Sequence, residues 1–171
     1  AWPAMIAAVT DLDGRITGAH RTWLAPDGSG KAPVDPPRKA MGDLLGHAVR
    51  FGDPQDVLAA GEGIETILSL RQVLPAMPMI SALSAAHLAA VQFPAHLRRL
   101  YIIRDNDPAG DSARDSLVDR AHEAGIETIT LSPMMGDFNE DLATYGLDAV
   151  RAEIRVQIAP EDVSRFMASS A

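Results

Sequence analysis

Cysteine is absent from this chain, lysine stops at Lys39, and aromatic residues make up only 5% of the 171 positions. Without Cys there is no disulfide frame, no thiolate nucleophile and no Cys-type zinc site. With so few aromatics, the core has to be built from Ala, Leu, Ile, Val and Met. No apolar run approaches the ~20 residues that a membrane helix needs. No basic-then-apolar leader follows the opening Ala1-Trp2-Pro3. The expectation is a cytoplasmic domain without a membrane partner, cut from something longer. Positive charge is scarce as well: 15 Lys and Arg face 23 Asp and Glu, a formal net charge of −8. That balance argues against gripping nucleic acid by bulk charge alone and leaves room for carboxylates meant for a metal. Apolar residues are plentiful at 47%, enough for one ordinary domain with a small appendage.

Two β-prone runs, Met5–Thr10 and Arg15–Leu24, flank Asp11-Leu12-Asp13-Gly14, and Asp-Gly suits a tight hairpin turn. Ala25 to Arg38 is rich in Pro, Gly, Asp and Ser and reads as a loop. Gly42 to Gly52 is ambiguous, with a strand favoured near His47–Phe51. After Pro54 strands and helices alternate. Strands are predicted at 57–60, 78–82, 99–104 and 127–131, and helices at 64–74, 84–92, 108–124, 137–145 and 147–156. Such alternation predicts an α/β fold, a central parallel sheet of about four strands with helices on both faces. The predicted division is an N-terminal hairpin and loop over residues 1–53, a core over 54–159 and a C-terminal tail over 160–171. Met77, Met79, Met134 and Met135 are expected to fill the core.

In open α/β sheets the working site lies beyond the carboxyl ends of the strands. Glu62 follows the first predicted core strand, Asp105 and Asp107 the third, and Asp137, Glu140 and Asp141 the fourth. Each has a bland reading. Glu62 suits a solvated turn, Asp107 before Pro108 suits a helix cap, and Asp137 suits another. Together they are harder to dismiss, because two like charges ~4 Å apart repel by roughly 4 kcal/mol at an effective dielectric of 20. Such a cluster calls for protons or a cation, and hard oxygen donors without Cys suggest Mg²⁺ or Mn²⁺.

The stretch Ala60-Gly61-Glu62-Gly63-Ile64-Glu65-Thr66-Ile67-Leu68-Ser69 resembles the first motif of the Toprim domain, shared by DnaG-type primases, topoisomerases and some nucleases. Ile102-Ile103-Arg104-Asp105-Asn106-Asp107-Pro108-Ala109-Gly110 resembles its second motif, and Gly136-Asp137-Phe138-Asn139-Glu140-Asp141-Leu142 the acidic third segment of plasmid and phage primases. The wording Gly-Glu-Gly-Ile-Glu-Thr, with the preceding hairpin and Asp27-Gly28-Ser29-Gly30-Lys31 loop, is most similar to that primase-like branch. These motifs span about half the chain.

The resemblance implies a Rossmann-like Toprim fold and Mg²⁺-dependent nucleotidyl transfer of the DNA primase type. The product would be RNA primers on single-stranded DNA in plasmid or phage replication. It gives Glu62 the role of general acid/base, and Asp105 and Asp107 that of Mg²⁺ (or Mn²⁺) ligands, with Asp137 as the next ligand. Glu65, Asp141 and Asn139 are further candidates near the metal. Arg104, Lys31 and Lys39 are candidate phosphate contacts, alongside Arg21 and Arg38 in or beside the loop. The implied partners are a single-stranded DNA template, nucleoside triphosphates, and other domains or subunits of a replication protein, such as a helicase or template-binding module.

Other readings stay open. The same carboxylates suit a metal-dependent nuclease, or a non-catalytic module that binds nucleic acid. A topoisomerase needs a nucleophilic Tyr, and Tyr101 and Tyr145 fall in a predicted strand and helix. Thr10-Asp11-Leu12-Asp13-Gly14 with Gly136-Asp137…Asp141 mimics a haloacid dehalogenase-like phosphohydrolase, yet no Lys follows Lys39 and a hairpin replaces the expected crossover. Asp11→Asn separates the two. The Toprim resemblance predicts unchanged metal-dependent activity, whereas a phosphohydrolase would lose turnover of a phosphate monoester.

Overall fold

The structure is a computed structural model that describes residues 1–167. The central sheet forms because five short runs are apolar enough to be covered on both faces. They are β4 (Val49–Phe51), β5 (Val57–Gly61), β6 (Met79–Ser81), β7 (Arg99–Ile103) and β8 (Glu127–Leu131). Their spatial order is β4-β6-β5-β7-β8, and β5, at the centre, is buried at every residue. β6, β5, β7 and β8 run parallel, as expected, and β4 adds an antiparallel edge strand.

Side chains alternate across this sheet with the period of two that a strand imposes. Ala59, Tyr101 and Ile103 face one layer, with α1 (Ile64–Arg71), α4 (Phe138–Tyr145), α5 (Leu147–Gln157) and α6 (Pro160–Phe166). Leu58, Ala60, Leu100 and Ile102 face the other, with α2 (Ala85–Ala90) and α3 (Pro108–Glu123). Helices therefore cover both faces. No helix among the described residues is long and apolar enough to cross a membrane.

The N-terminal part is a three-stranded antiparallel sheet rather than a hairpin alone. β1 (Ala4–Thr10) pairs with β2 (Ile16–Trp23), and β3 (Arg38–Gly42) pairs with the far side of β2. β3 was not expected. Arg38-Lys39-Ala40-Met41-Gly42 is short, polar and preceded by prolines, so its strand form comes from pairing with β2 and not from propensity. Val9, Val49 and Ile64, with Met5, Leu44 and Leu83 against them, join this sheet to the core. Thr10 and Ala48 exchange backbone hydrogen bonds of 2.9 and 3.2 Å at the same seam.

The segment expected as a tail contains α6. Pro160 opens it and Glu161 and Asp162 occupy its first turn, a favourable start for a helix. Asp162 is fully buried and accepts from the Tyr101 hydroxyl and from Arg99, each at 2.7 Å. The Tyr101 oxygen in turn accepts from the Ala159 amide at 3.0 Å. Burial and Asp162 push the Tyr101 phenol well above its ordinary pKa. Residues 168–171 of the expected tail lie outside the described residues. Met77 and Met79 are core residues, but Met134 is 43% exposed, on the loop after β8.

Tyr101→Phe removes one donor to a buried carboxylate and the partner of the Ala159 amide. A loss of about 1–3 kcal/mol in urea unfolding is expected.

Candidate functional site

The parallel register brings the candidate residues to one edge. Gly61 pairs with Ser81 and Ala60 with Ile102, so Glu62 and Asp105 leave adjacent strands at their carboxyl ends. The loop after β8 is stitched to the turn after β7: Asn106 donates from its amide N–H to Gly136 O at 2.8 Å and from its side chain to Met135 O at 3.1 Å. That places Asp137 beside the Asp105–Asp107 turn.

Glu62 is held by the turn between β6 and α2. Its carbonyl oxygen accepts from Ser81 Oγ and from the Leu83 amide, both at 2.8 Å. Leu83 reaches this geometry with φ at 76°, a left-handed conformation that costs about 1–3 kcal/mol for such a residue. Burial, then Asp107, push the Glu62 carboxyl above the usual range.

Asp105 carries the strongest perturbation. Burial pushes its pKa up to about 7, helped by the charges of Glu62, Asp137 and Asp107. Its Oδ1 is buried and has no hydrogen-bond partner among the described residues. Asp107 and Asp137 cap helices as their bland readings predicted: Asp107 Oδ1 accepts from Gly110 N and Asp137 Oδ1 from Glu140 N, each at 2.7 Å. Both carboxylates nevertheless raise Asp105, so capping and clustering coexist. Gly110 is required here, since a Cβ there would collide with the Asp105 carbonyl.

The remaining candidates divide. Glu65 pairs with Lys31 at 3.4 Å. Burial would raise its pKa, but a backbone hydrogen bond, Lys31 and Arg38 together bring it below the usual range. Asn139 lies 3.3 Å from Ser69 Oγ. Asp141 is fully buried and accepts from the amides of Met134 and Met135 at 2.8 Å each, so it shapes the loop before Asp137. Arg104 binds Asp111 and Asn106. Lys39 is exposed on β3, opposite Arg21 and on the other face from Arg38.

Arg38 is the residue that sequence reasoning undervalued. It shares a face of the N-terminal sheet with its cross-strand partner Thr22, which is buried, and its charge acts on Glu62, Glu65 and His20. Its signal was the period of two in a strand that the sequence did not reveal. Asp11, the mimic of a phosphohydrolase nucleophile, has its Oδ1 committed to the turn, accepting from Asp13 N and Arg15 N at 2.9 Å.

The carboxylates are electrostatically coupled without forming a finished cage: among the described residues no three His, Cys, Asp or Glu are gathered as a metal site. They do fit a hard divalent cation. The donors are all carboxylate oxygens, and the buried Oδ1 of Asp105 lacks a partner.

The chain is an α/β domain whose parallel sheet carries Glu62 after one strand and Asp105 and Asp107 after its neighbour. Residues 57–148, more than half the chain, match the family model described as Toprim domain, and the chain belongs to that family. Residues 1–51 match a model described as Domain of unknown function (DUF7146). No curated protein matches the sequence. In fold the chain is similar to the primase fragment of bacteriophage T7 primase-helicase protein (TM-score 0.65, 15% identity, covering 91% of this chain and 63% of that one). It is also similar to the zinc-binding and RNA polymerase domains of the Aquifex aeolicus primase (0.60, 18%, 90% and 40%). A DNA primase domain from Pseudomonas aeruginosa is a third such structure (0.57, 19%, 90% and 51%). The chain thus spans less than two thirds of each of these structures.

The raised Asp105 has a consequence for stability. A carboxyl whose folded pKa lies above its unfolded value near 4 binds its proton more tightly in the folded state. Cation-free protein should therefore lose stability as pH rises from about 4 to about 7 and level off above that. Thermal melting in chelator across this range should show the decline, and Asp105→Asn should flatten it and melt higher than wild type above pH 7.

Proposed function

We propose that this domain carries out nucleotidyl transfer of the DNA primase type, making RNA primers on single-stranded DNA in plasmid or phage replication, inside the cell. The observation that carries the reading is Asp105. Its buried, unpartnered oxygen and raised pKa lie among Glu62, Asp107 and Asp137, in a Toprim chain whose fold is similar to primase fragments.

Asp105, Asp107 and Asp137 would hold Mg²⁺ or Mn²⁺. When bound, the ion offsets the charge of the nucleotide phosphates. Glu62 supplies the proton chemistry. Transfer joins a 3′-oxygen to the α-phosphorus of a nucleoside triphosphate and releases pyrophosphate, and the hydroxyl proton goes to the Glu62 carboxylate. Its raised pKa suits that role, because a better base near neutral pH is a better acceptor. The charge of Arg38 acts on the same carboxylate, and Arg38 would steady the phosphates, a task for which an always-charged planar fork is well matched. Asp141 and the turn through Leu83 act indirectly, by fixing the backbone on which Asp137 and Glu62 stand. Because the chain spans only part of the primase structures it is similar to, template capture and primer hand-off are assigned to further domains or subunits.

Incubation with Mn²⁺, ribonucleotides and a single-stranded template should give short labelled products. Glu62→Gln and Asp105→Asn should each reduce them by roughly 10²–10⁴-fold with melting curves that remain cooperative. Template cleavage in place of extension would reassign the domain as a nuclease, and unchanged synthesis by both variants would overturn the proposal.

A further inference from the structure

We propose that the cleft between the 25–31 loop and helices α1 and α4 is a nucleoside subsite, which takes the base and sugar of a nucleoside triphosphate. This inference rests on the nucleotidyl-transfer reading and adds to it the part of the substrate that the carboxylates do not touch. The cleft measures about 450 Å³, within the roughly 300–1,000 Å³ of small-molecule sites. Pro3, Leu24 and Pro26 give it an apolar wall against which a flat ring can lie. Lys31, Glu65 and Asn139 supply its polar side.

The loop is a built wall. The Ala25 amide donates to Gly30 O at 2.9 Å and the Gly28 amide to Ala25 O at 3.0 Å. Asp27 Oδ1 accepts from the amide and the hydroxyl of Ser29 at 3.0 and 2.7 Å. Leu24 and Lys31 close the loop with a β-bridge, and the positive φ of Gly28 is what lets the chain turn so tightly.

Charge selects the occupant. Lys31 offsets Glu65 at 3.4 Å, so this cleft is close to neutral, whereas the space around Asp105 is strongly anionic. A nucleoside triphosphate has one neutral, flat end and one highly charged end, and the neutral end suits the neutral cleft. The Asn139 amide is steadied by Ser69 Oγ and offers hydrogen-bonding groups of the kind that read a base edge. Location agrees: Glu65 lies three residues after Glu62, in the first turn of α1, and Asn139 lies two residues after Asp137, in the first turn of α4.

Calorimetric titration of the protein in Mn²⁺ with ATP and with inorganic tripolyphosphate tests this. Wild type should bind ATP about tenfold or more tighter than tripolyphosphate. Asn139→Trp, which fills the cleft, should bring ATP down to the tripolyphosphate value while leaving tripolyphosphate unchanged. Asn139→Ala, at an exposed helical position, should lose several-fold for ATP only and guards against misfolding of the larger substitution. Equal affinity of wild type for the two ligands, or ATP binding unaffected by both variants, would overturn the subsite. Asp105→Asn reports separately on the underlying reading. It should weaken both ligands alike, and if it weakens neither while Asn139→Trp still abolishes the preference for ATP, the carboxylate assignment fails and the subsite stands.

Discussion

Repulsion among carboxylates is the constraint around which this domain is organised. Glu62, Asp107 and Asp137 each raise the pKa of Asp105, and burial raises it further than any of them. No fold gains stability by such an arrangement on its own. It is held because a parallel sheet ends its strands together, so that residues far apart in sequence share one edge. The opposing forces are local and numerous. Asp107 and Asp137 each bind the first turn of a helix, and Glu62 is gripped by the β6–α2 turn. A strained Leu83 backbone is tolerated to complete that grip. Backbone strain and like charge are thus concentrated at one edge of the sheet.

The N-terminal sheet belongs to the same design. It is joined to the core by Val9, Val49 and Ile64 and by the Thr10–Ala48 bonds, and this seam brings cations towards an acidic edge. The charge of Arg38 acts on Glu62 and Lys31 pairs with Glu65, so two of the few cations of an acidic chain lie beside its carboxylates. Lys39, one residue from Arg38, lies on the opposite face of its strand and has no such position.

Two buried aspartates show how the same residue type serves architecture. Asp141 holds the Met134 and Met135 amides and so shapes the approach to Asp137. Asp162 ties α6 to Tyr101 and Arg99 at the other end of the sheet. Neither takes part in the carboxylate cluster. In the sequence, Asp141 is indistinguishable from a ligand, since it sits in an acidic segment at plausible spacing. Only its burial against two amides assigns it.

The sequence by itself determined the alternation of strands and helices after Pro54, the placement of Glu62, Asp105 and Asp107 at strand ends, and the caps at Asp107 and Asp137. All of these follow from local periodicity and local hydrogen bonding, which act within a few residues. The third strand of the N-terminal sheet, the antiparallel pairing of the strand expected near His47–Phe51 and the alignment of Arg38 with Thr22 were decided by tertiary structure alone. So were the burial of Asp141 and Asp162 and the isolation of the Asp105 oxygen. Each of these depends on which distant segment lies alongside, and pairing energy, burial and charge–charge coupling exist only once the chain has closed on itself.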